Sequence, residues 1–336
     1  MKRKKSSIGI REIAHIAGVS TATVSRVINK ESNTSPEMRE RVQKVIEEYG
    51  YVPNLNAKNM KHQSSRSIAI FIYDMNNPFY ISVMQYLNKL AFENDYTLII
   101  CEAGNHFERQ RKYYQYCKGI QVSGIIFTES RINDPFALDG HDEIPVALLD
   151  RVSFPGKDCY EVQFDARQGM QLLIEHLINL NHKKIGFICG PDYMLSANKR
   201  KKFFLSLMKE KGLEVPESYL FKTDAFSEIN GLHAYDYFSQ IEPLPTAIIA
   251  GNDQLARGFI MRAHMRGANI PEQFSVCGVD AIENSIFFPK ITSYKQDTEM
   301  VAREMMSFLL NAKNVPPPQT KILDVTLSPG QTCRRI

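Results

Sequence analysis

Apolar positions recur at helical spacing through the first fifty residues and in short unbroken runs after Ile68. That change of period predicts a small helical unit followed by a larger α/β body. Ile13, Ala14 and Ala17 share one face of a short first helix, and Val24, Val27 and Ile28 share the inner face of a second. Gly18 permits the sharp turn between them, Val19 closes that turn from below, and Ser20 is a good N-cap for the second helix. A third helix opens on Ser35-Pro36, with Glu37 in the first turn where the helix dipole favours a carboxylate. Met38, Val42, Val45, Ile46 and Tyr49 then complete a three-helix core, and Gly50 ends the helix. Leu55 to Ser67 is short, polar and basic. It is marginal as a free helix and expected to fold only against a surface such as DNA.

The body reads as buried strands at Ile68–Tyr73, Leu98–Cys101, Gly124–Phe127, Val146–Leu149, Val162–Phe164, Ile185–Cys189, Ala247–Ala250 and Ser275–Val279. A last strand-like run covers Ile322–Leu327. Amphipathic helices alternate with the strands, as at Arg167–Leu180 and Ile229–Phe238. Such βαβ alternation predicts parallel sheets covered on both faces. Eight or more strands exceed one comfortable core, so two lobes are expected.

The outer face of the second helix carries the first candidate chemistry. Thr21, Ala22, Thr23, Ser25 and Arg26 are small or hydrogen-bonding except for one long donor, a surface suited to a DNA major groove. An ordinary helical hairpin with a polar face is the alternative. Charge favours the groove reader: residues through Lys61 carry net +6 and the remainder −2, so the capacity to neutralise phosphates is concentrated in the head. Arg26 is expected to read a base, guanine being its best geometric partner, with Thr21 and Ala22 at base edges. Ser20, Thr23, Ser25 and Asn29 are expected to anchor phosphates.

With GVSTATVSRVIN at 18–29, SPEMRERV at 35–42, GYVPN at 50–54 and Asn76-Asn77-Pro78-Phe79, the chain resembles the LacI/GalR (lactose-repressor/galactose-repressor) family of bacterial transcriptional regulators along nearly its whole length. The resemblance implies a helix-turn-helix head (1–53) and a hinge helix (54–66). Behind them it implies a two-lobed, periplasmic-binding-protein-like α/β body with parallel sheets (67–336). Its N-lobe would span about 67–164 and 294–326, its C-lobe about 165–293 and 327–336, with ligand in the cleft between. In the family a hinge leucine enters the minor groove at the operator centre. The matching position here is Met60, followed by Lys61 toward phosphates, with Ala57 one turn earlier.

The strand ends and following loops supply candidate ligand contacts, at positions that in LacI/GalR-type proteins touch the effector: Asp74, Phe79, Asp150, Arg151, Asp165, Tyr193, Asn198, Arg200, Phe226, Asn252, Asp253 and Asp280. Asp280 is the foremost of these. Asp253 and Asp165 have a second possible role as helix N-caps, and Tyr80 is expected to pack outward. Asn198 stands where the family often has an arginine, Arg200 matches a second frequent one, and Lys201-Lys202-Phe203-Phe204 replaces a small-residue stretch. A neutral amide cannot make arginine's bidentate charged contact. The effector is therefore left open between a sugar or sugar derivative, another ligand and a protein partner.

The sequence shows no phosphate loop, nucleophile elbow or metal-spaced histidines, so neither an enzyme nor a metal or cofactor is expected. Glycoside chemistry by paired carboxylates and an exported solute-binding protein are the competing classes. Lys2-Arg3-Lys4-Lys5 resembles the start of a signal peptide, but no apolar segment follows, and no run is long enough for a membrane span. Six cysteines without CxxC spacing read as reduced, packed thiols of a cytoplasmic protein. No C-terminal heptad helix follows the last strand, so a homodimer on a pseudo-palindromic operator is expected.

Overall fold

The structure is a computed structural model that describes residues 8–28, 34–51, 65–104, 106–128, 143–150, 154, 158–281, 287–312 and 319–336. Asn29, the hinge positions Ala57, Met60 and Lys61, and Arg151 lie outside the described residues. The chain divides into two compact units, Met1–Ser65 and Arg66–Ile336.

In the first unit α1 (Ile10–Ile16), α2 (Thr21–Ile28) and α3 (Pro36–Tyr49) surround a core of Ile13, Ala14, Ala17, Val24, Val27, Val42 and Val45. Gly18 takes the left-handed turn conformation (φ 63°), and Ser20 Oγ accepts from Thr23 N–H at 3.1 Å to start α2. Ser35 caps α3 through Met38 N–H at 3.3 Å, and Gly50 ends it at φ 59°. Tyr49, expected in this core, is 47% exposed; once Gly50 reverses the chain, Tyr51 packs against the core instead.

The second unit contains two six-stranded sheets. The first orders β11 (Gln319–Leu323), β5 (Tyr160–Phe164), β4 (Val146–Leu149), β3 (Gly124–Thr128), β1 (Ser67–Ile72) and β2 (Thr97–Glu102), all parallel. The second orders β12 (Thr326–Ser328), β10 (Thr292–Lys295), β9 (Ser275–Asp280), β8 (Ala247–Ala250), β6 (Ile185–Ile188) and β7 (Leu220–Phe221), with only the β10–β12 pair antiparallel. Strands β3, β4, β6, β8 and β9 are buried at every residue, as sheets covered on both faces require. Helices α4 (Pro78–Glu93), α5 (Phe107–Gly119) and α10 (Thr298–Asn311) cover the first sheet. Helices α6 (Ala166–Asn179), α7 (Leu195–Glu210), α8 (Glu228–Phe238) and α9 (Asp253–Met265) belong with the second.

The lobe boundaries differ from expectation by a few residues. Tyr294, Lys295 and Thr326 all lie in strands of the second sheet, so the chain crosses after Phe164, after Lys295 and after Leu323. The apolar run Ile322–Leu327 is cut at Asp324, because its two ends pair in different sheets. β7 and β10 escape pattern reading: one has two residues, and the other is the polar stretch TSYK.

Each sheet reverses its strand order once, between β1 and β3 in the first and between β6 and β8 in the second. Loops leaving strand ends on either side of such a reversal diverge and open a crevice. Helix α9, which follows β8 at the second reversal, meets α8 backbone to backbone. A Cβ on Gly258 would lie 1.9 Å from the Glu228 carbonyl oxygen, and one on Gly231 would lie 2.2 Å from that of Leu255. This contact sets the starts of both helices. Gly258→Ala is therefore expected to destabilise the body by about 1–3 kcal/mol or more, measured by chemical denaturation, whereas Gly267→Ala, at a turn with open space, disturbs only the local backbone.

Candidate functional site

In the head, Thr21, Ala22 and Arg26 are exposed on α2, Thr23 and Ser25 are half-buried, and Val24 and Val27 are buried behind them. Helical spacing thus separates a core face from an outward strip of one guanidinium, hydroxyls and a methyl. Ser20 Oγ, besides capping α2, lies 2.9 Å from Thr23 Oγ1. Both hydroxyls serve the helix start while staying at its accessible end, the end whose dipole attracts phosphate.

In the body, one pocket draws on both sheets. Phe79 and Tyr80 come from the first turn of α4, where Asn77 accepts from Phe79 N–H at 3.0 Å and Pro78 sets the first helical position. Asp150 follows β4 at φ 50°. From the other lobe come Met194, Ser196 and Arg200 around the start of α7, Phe226 before α8, Asn252 before α9, and Asp280 at the end of β9. Gln296 enters from the crossover after β10. These side chains enclose about 20 Å³, room for about one water.

Arg200 is the electrostatic centre of the pocket. It is 7% exposed, donates through Nη1 to the Gly251 carbonyl at 2.8 Å, and holds Nη2 4.0 Å from Asp280 Oδ1. Its guanidinium carbon lies 5.8 Å from the centroid of the Phe226 ring, a cation–π distance. That ring in turn rests on Gly190, where any Cβ would stand 2.2 Å from it. Burial pushes Asp280 up to about 8, with Arg200 pulling it down and the Asp253 and Asp150 carboxylates pushing it further up. Asp150 is raised by the same loss of water, against the pull of Lys199 and Arg200. With Asp280 pushed up to about 8, its carboxyl carries a proton at neutral pH, so the site offers a donor as well as acceptors.

Of the candidates from sequence, Phe79, Asp150, Arg200, Phe226, Asn252 and Asp280 line this pocket. Phe79 also packs in the core, edge-on to Phe164 at 6.1 Å between centroids. The others take different work. Asp74 closes its own turn by accepting from Asn76 N–H at 2.8 Å, and Asp165 caps α6 through Gln168 N–H at 2.8 Å. Asn198 donates to the carbonyls of Met194, at 2.9 Å, and Asp192; its amide braces the loop ahead of α7 instead of facing ligand. Tyr193 accepts from the Tyr73 hydroxyl at 3.2 Å and donates to the Asp224 carbonyl at 3.0 Å, forming a bridge between the lobes.

Asp253 is not the cap of α9; Asn252 is, accepting from Leu255 N–H at 3.0 Å. The Asp253 carboxylate instead accepts from Ser293 Oγ at 2.6 Å and Ala281 N–H at 2.9 Å, which fixes the backbone beside Asp280. Burial pushes it up to about 7, against those two hydrogen bonds and the charges of Arg257 and Arg200.

Tyr80, expected outside, is 6% exposed and faces the pocket, because α4 turns it beside Phe79. Pattern reading also missed Met194 and Gln296, whereas Ser196 is legible from the loop that Gly190-Pro191 opens. Gln296 is 3% exposed, and its Oε1 has no hydrogen-bond partner among the described residues, an acceptor held toward the pocket. Its only sequence signal was its place just past Tyr294, where the crossover was expected. No cluster of His, Cys, Asp or Glu suited to a metal occurs among the described residues, and no described helix is long and apolar enough to cross a membrane.

Comparison with known proteins places both units. Residues 9–54 match the family model described as bacterial regulatory proteins, lacI family, and residues 174–333 match a periplasmic binding protein-like domain. The chain is 29% identical over 304 residues to the HTH-type transcriptional repressor PurR of Vibrio vulnificus (strain CMCP6), 90% of each chain. It is 28% identical over 323 residues to the ribose operon repressor of Escherichia coli (strain K12), 94% of this chain and 96% of that one. The fold resembles that of the lac repressor dimer bound to operator and the anti-inducer ONPF, with a TM-score of 0.83 at 23% identity, covering 97% of this chain and 99% of that one. The transcriptional regulator CelR–cellobiose complex superposes with a TM-score of 0.71 at 24% identity, over 97% and 100%.

The buried carboxyl groups have a measurable signature. A carboxyl raised on folding stabilises most below its unfolded value, and that contribution is lost as pH climbs through its folded value. With Asp253 at about 7 and Asp280 at about 8, against about 4 in the unfolded chain, the body is expected to lose stability as pH rises from about 4 to about 8 and to level off above that. Asp280→Asn keeps the shape, tolerates the positive φ of 107° and removes the charge, so its thermal midpoint should fall less over that range.

Proposed function

Because the chain belongs to the lacI family of bacterial regulatory proteins, we propose that it is a transcriptional repressor controlled by a sugar-like small molecule. It binds a pseudo-palindromic operator as a homodimer, in the cytoplasm, and takes its effector between the lobes of the body. It is a DNA-binding regulator and not an enzyme; the relatives PurR and the ribose operon repressor are repressors too. The observation that carries the reading is the outward strip of α2, Thr21, Ala22 and Arg26, held rigid by buried Val24 and Val27.

In this reading Arg26 donates to a guanine edge in the major groove, and Ala22 meets a base at close range. Ser20, Thr23, Ser25 and Asn29 hold phosphates and fix register. The hinge residues Ala57, Met60 and Lys61 approach the minor groove at the operator centre, where apolar Met60 wedges between base steps. Effector binding at Asp150, Arg200, Phe226, Asn252, Asp280 and Gln296 changes the separation of the lobes, and so the spacing of the two hinges in a dimer. Its differential affinity for the two arrangements sets the sign of control.

Carboxyl and amide groups that both donate and accept suit a ligand covered in hydroxyls, which do the same, and the Phe226 face suits the apolar side of a sugar ring. The ribose operon repressor and the cellobiose complex of CelR support that class.

In vitro selection of genomic fragments by the purified full-length protein, at stated salt, should enrich one pseudo-palindrome. No enrichment, with or without a panel of pentoses, hexoses and disaccharides, overturns the reading. Arg26→Ala is expected to lower operator affinity about tenfold or more. Met60→Asp should do likewise while the thermal midpoint of the body stays unchanged. A sugar that raises the thermal midpoint of the wild type should fail to do so for Asp150→Ala.

A further inference from the structure

Cys277 and Cys333, 56 residues apart in sequence, meet with their sulfurs 3.5 Å apart. Cys277 is buried inside β9, whereas Cys333 sits in the chain's final segment and is partly exposed. That segment is fastened on both sides of Cys333. Val276 N–H donates to the Thr332 carbonyl at 2.7 Å, and Thr332 Oγ1 donates to the Val276 carbonyl at 2.6 Å while accepting from Thr292 N–H at 2.9 Å. On the other side Arg334 N–H donates to Ser275 Oγ at 3.0 Å, and His182 Nε2 donates to the Arg334 carbonyl at 3.0 Å. The sulfurs therefore face each other on backbone that is held in place, and side-chain rotation need close only about 1.5 Å to reach a disulfide bond.

We propose that Cys277 and Cys333 form a reversible disulfide, in which Cys333 meets the oxidant and Cys277 resolves it. The local chemistry divides the roles the same way. The Cys277 thiol, hydrogen-bonded to the Cys333 sulfur, draws the Cys333 pKa down, and His176 and Thr292 add to that pull against burial. The same contact, together with burial, raises Cys277. The accessible sulfur is thus the one whose deprotonation the pair favours, and the thiolate is the form that attacks. Cys101 and Cys117 also pair, but both are buried and neither offers an entrance.

With glutathione disulfide as oxidant, the Cys333 thiolate attacks one of its sulfurs, forms a mixed disulfide and releases one glutathione thiolate. Cys277 gives its proton to that thiolate and attacks the Cys333 sulfur, releasing the second glutathione. Two protein thiols are oxidised by two electrons, and one glutathione disulfide is reduced to two thiols. The product staples the final segment to β9, three residues before Asp280, around the stretch that holds both later crossovers.

The test uses the full-length protein, glutathione disulfide at neutral pH, alkylation and peptide mass mapping. The wild type is expected to yield a Cys277–Cys333 linked peptide that dithiothreitol dissolves, with a raised thermal midpoint before reduction. Cys277→Ala should stall with glutathione on Cys333, and Cys333→Ser should leave both positions free of glutathione and of any cross-link. Wild-type protein that keeps Cys333 unmodified, or that carries glutathione on Cys333 with Cys277 still alkylatable after unfolding, overturns the proposal. Neither readout depends on DNA or effector.

Discussion

A guanidinium taken out of water must be surrounded by groups that replace water, or its burial is very costly. Arg200 meets that demand from separate parts of the second lobe: the carbonyl after β8, the carboxylate ending β9 and the ring before α8. Asp150, from the other lobe, lies within its electrostatic reach. Each of these contributors must be delivered to one point by a different strand end. The two strand-order reversals, the Gly231–Gly258 helix contact and the Asp253 brace at Ala281 are the means of delivery. The pocket is thus a consequence of sheet topology converging on one buried charge.

The crossovers that join the lobes are tied by hydrogen bonds at their ends. Asp165 caps α6 after the first, and Asp297 caps α10 after the second through Met300 N–H at 2.9 Å. The third is stitched to the first: Asp165 N–H donates to the Leu323 carbonyl at 2.9 Å, and Val325 N–H donates to Gln168 Oε1 at 2.8 Å. Gln296 occupies the second crossover and also faces the pocket. In the proposed reading, a ligand that bonds its carbonyl oxygen would touch this crossover itself, coupling occupancy to lobe geometry without any relay through the core.

Much of this was legible in the sequence, for identifiable reasons. The head core repeats every three or four residues, and the inner strands are unbroken apolar runs because both faces are covered. Strand ends exposed the polar residues that follow them, so Asp150, Asn252 and Asp280 stood out. Tyr80 and Gln296 did not, since their roles depend on how a helix start or a crossover is rotated. Asn198 illustrates a related point: a short polar side chain near a helix start bonds local backbone as readily as it bonds a ligand, whereas Asp253 is claimed by partners distant in sequence, Ala281 and Ser293. The Cys277–Cys333 contact has no spacing signature, because tertiary structure alone joins β9 to the last residues.

The Tyr73–Tyr193 bridge carries a last consequence. Two neutral phenols fasten the lobes, while the head that would grip DNA carries the concentrated positive charge. Dissolved ions weaken phosphate contacts steeply and leave a neutral hydrogen bond nearly untouched. Ionic strength therefore acts on the grip and spares the latch, so the two halves of the molecule's response can be separated with nothing more than a salt titration.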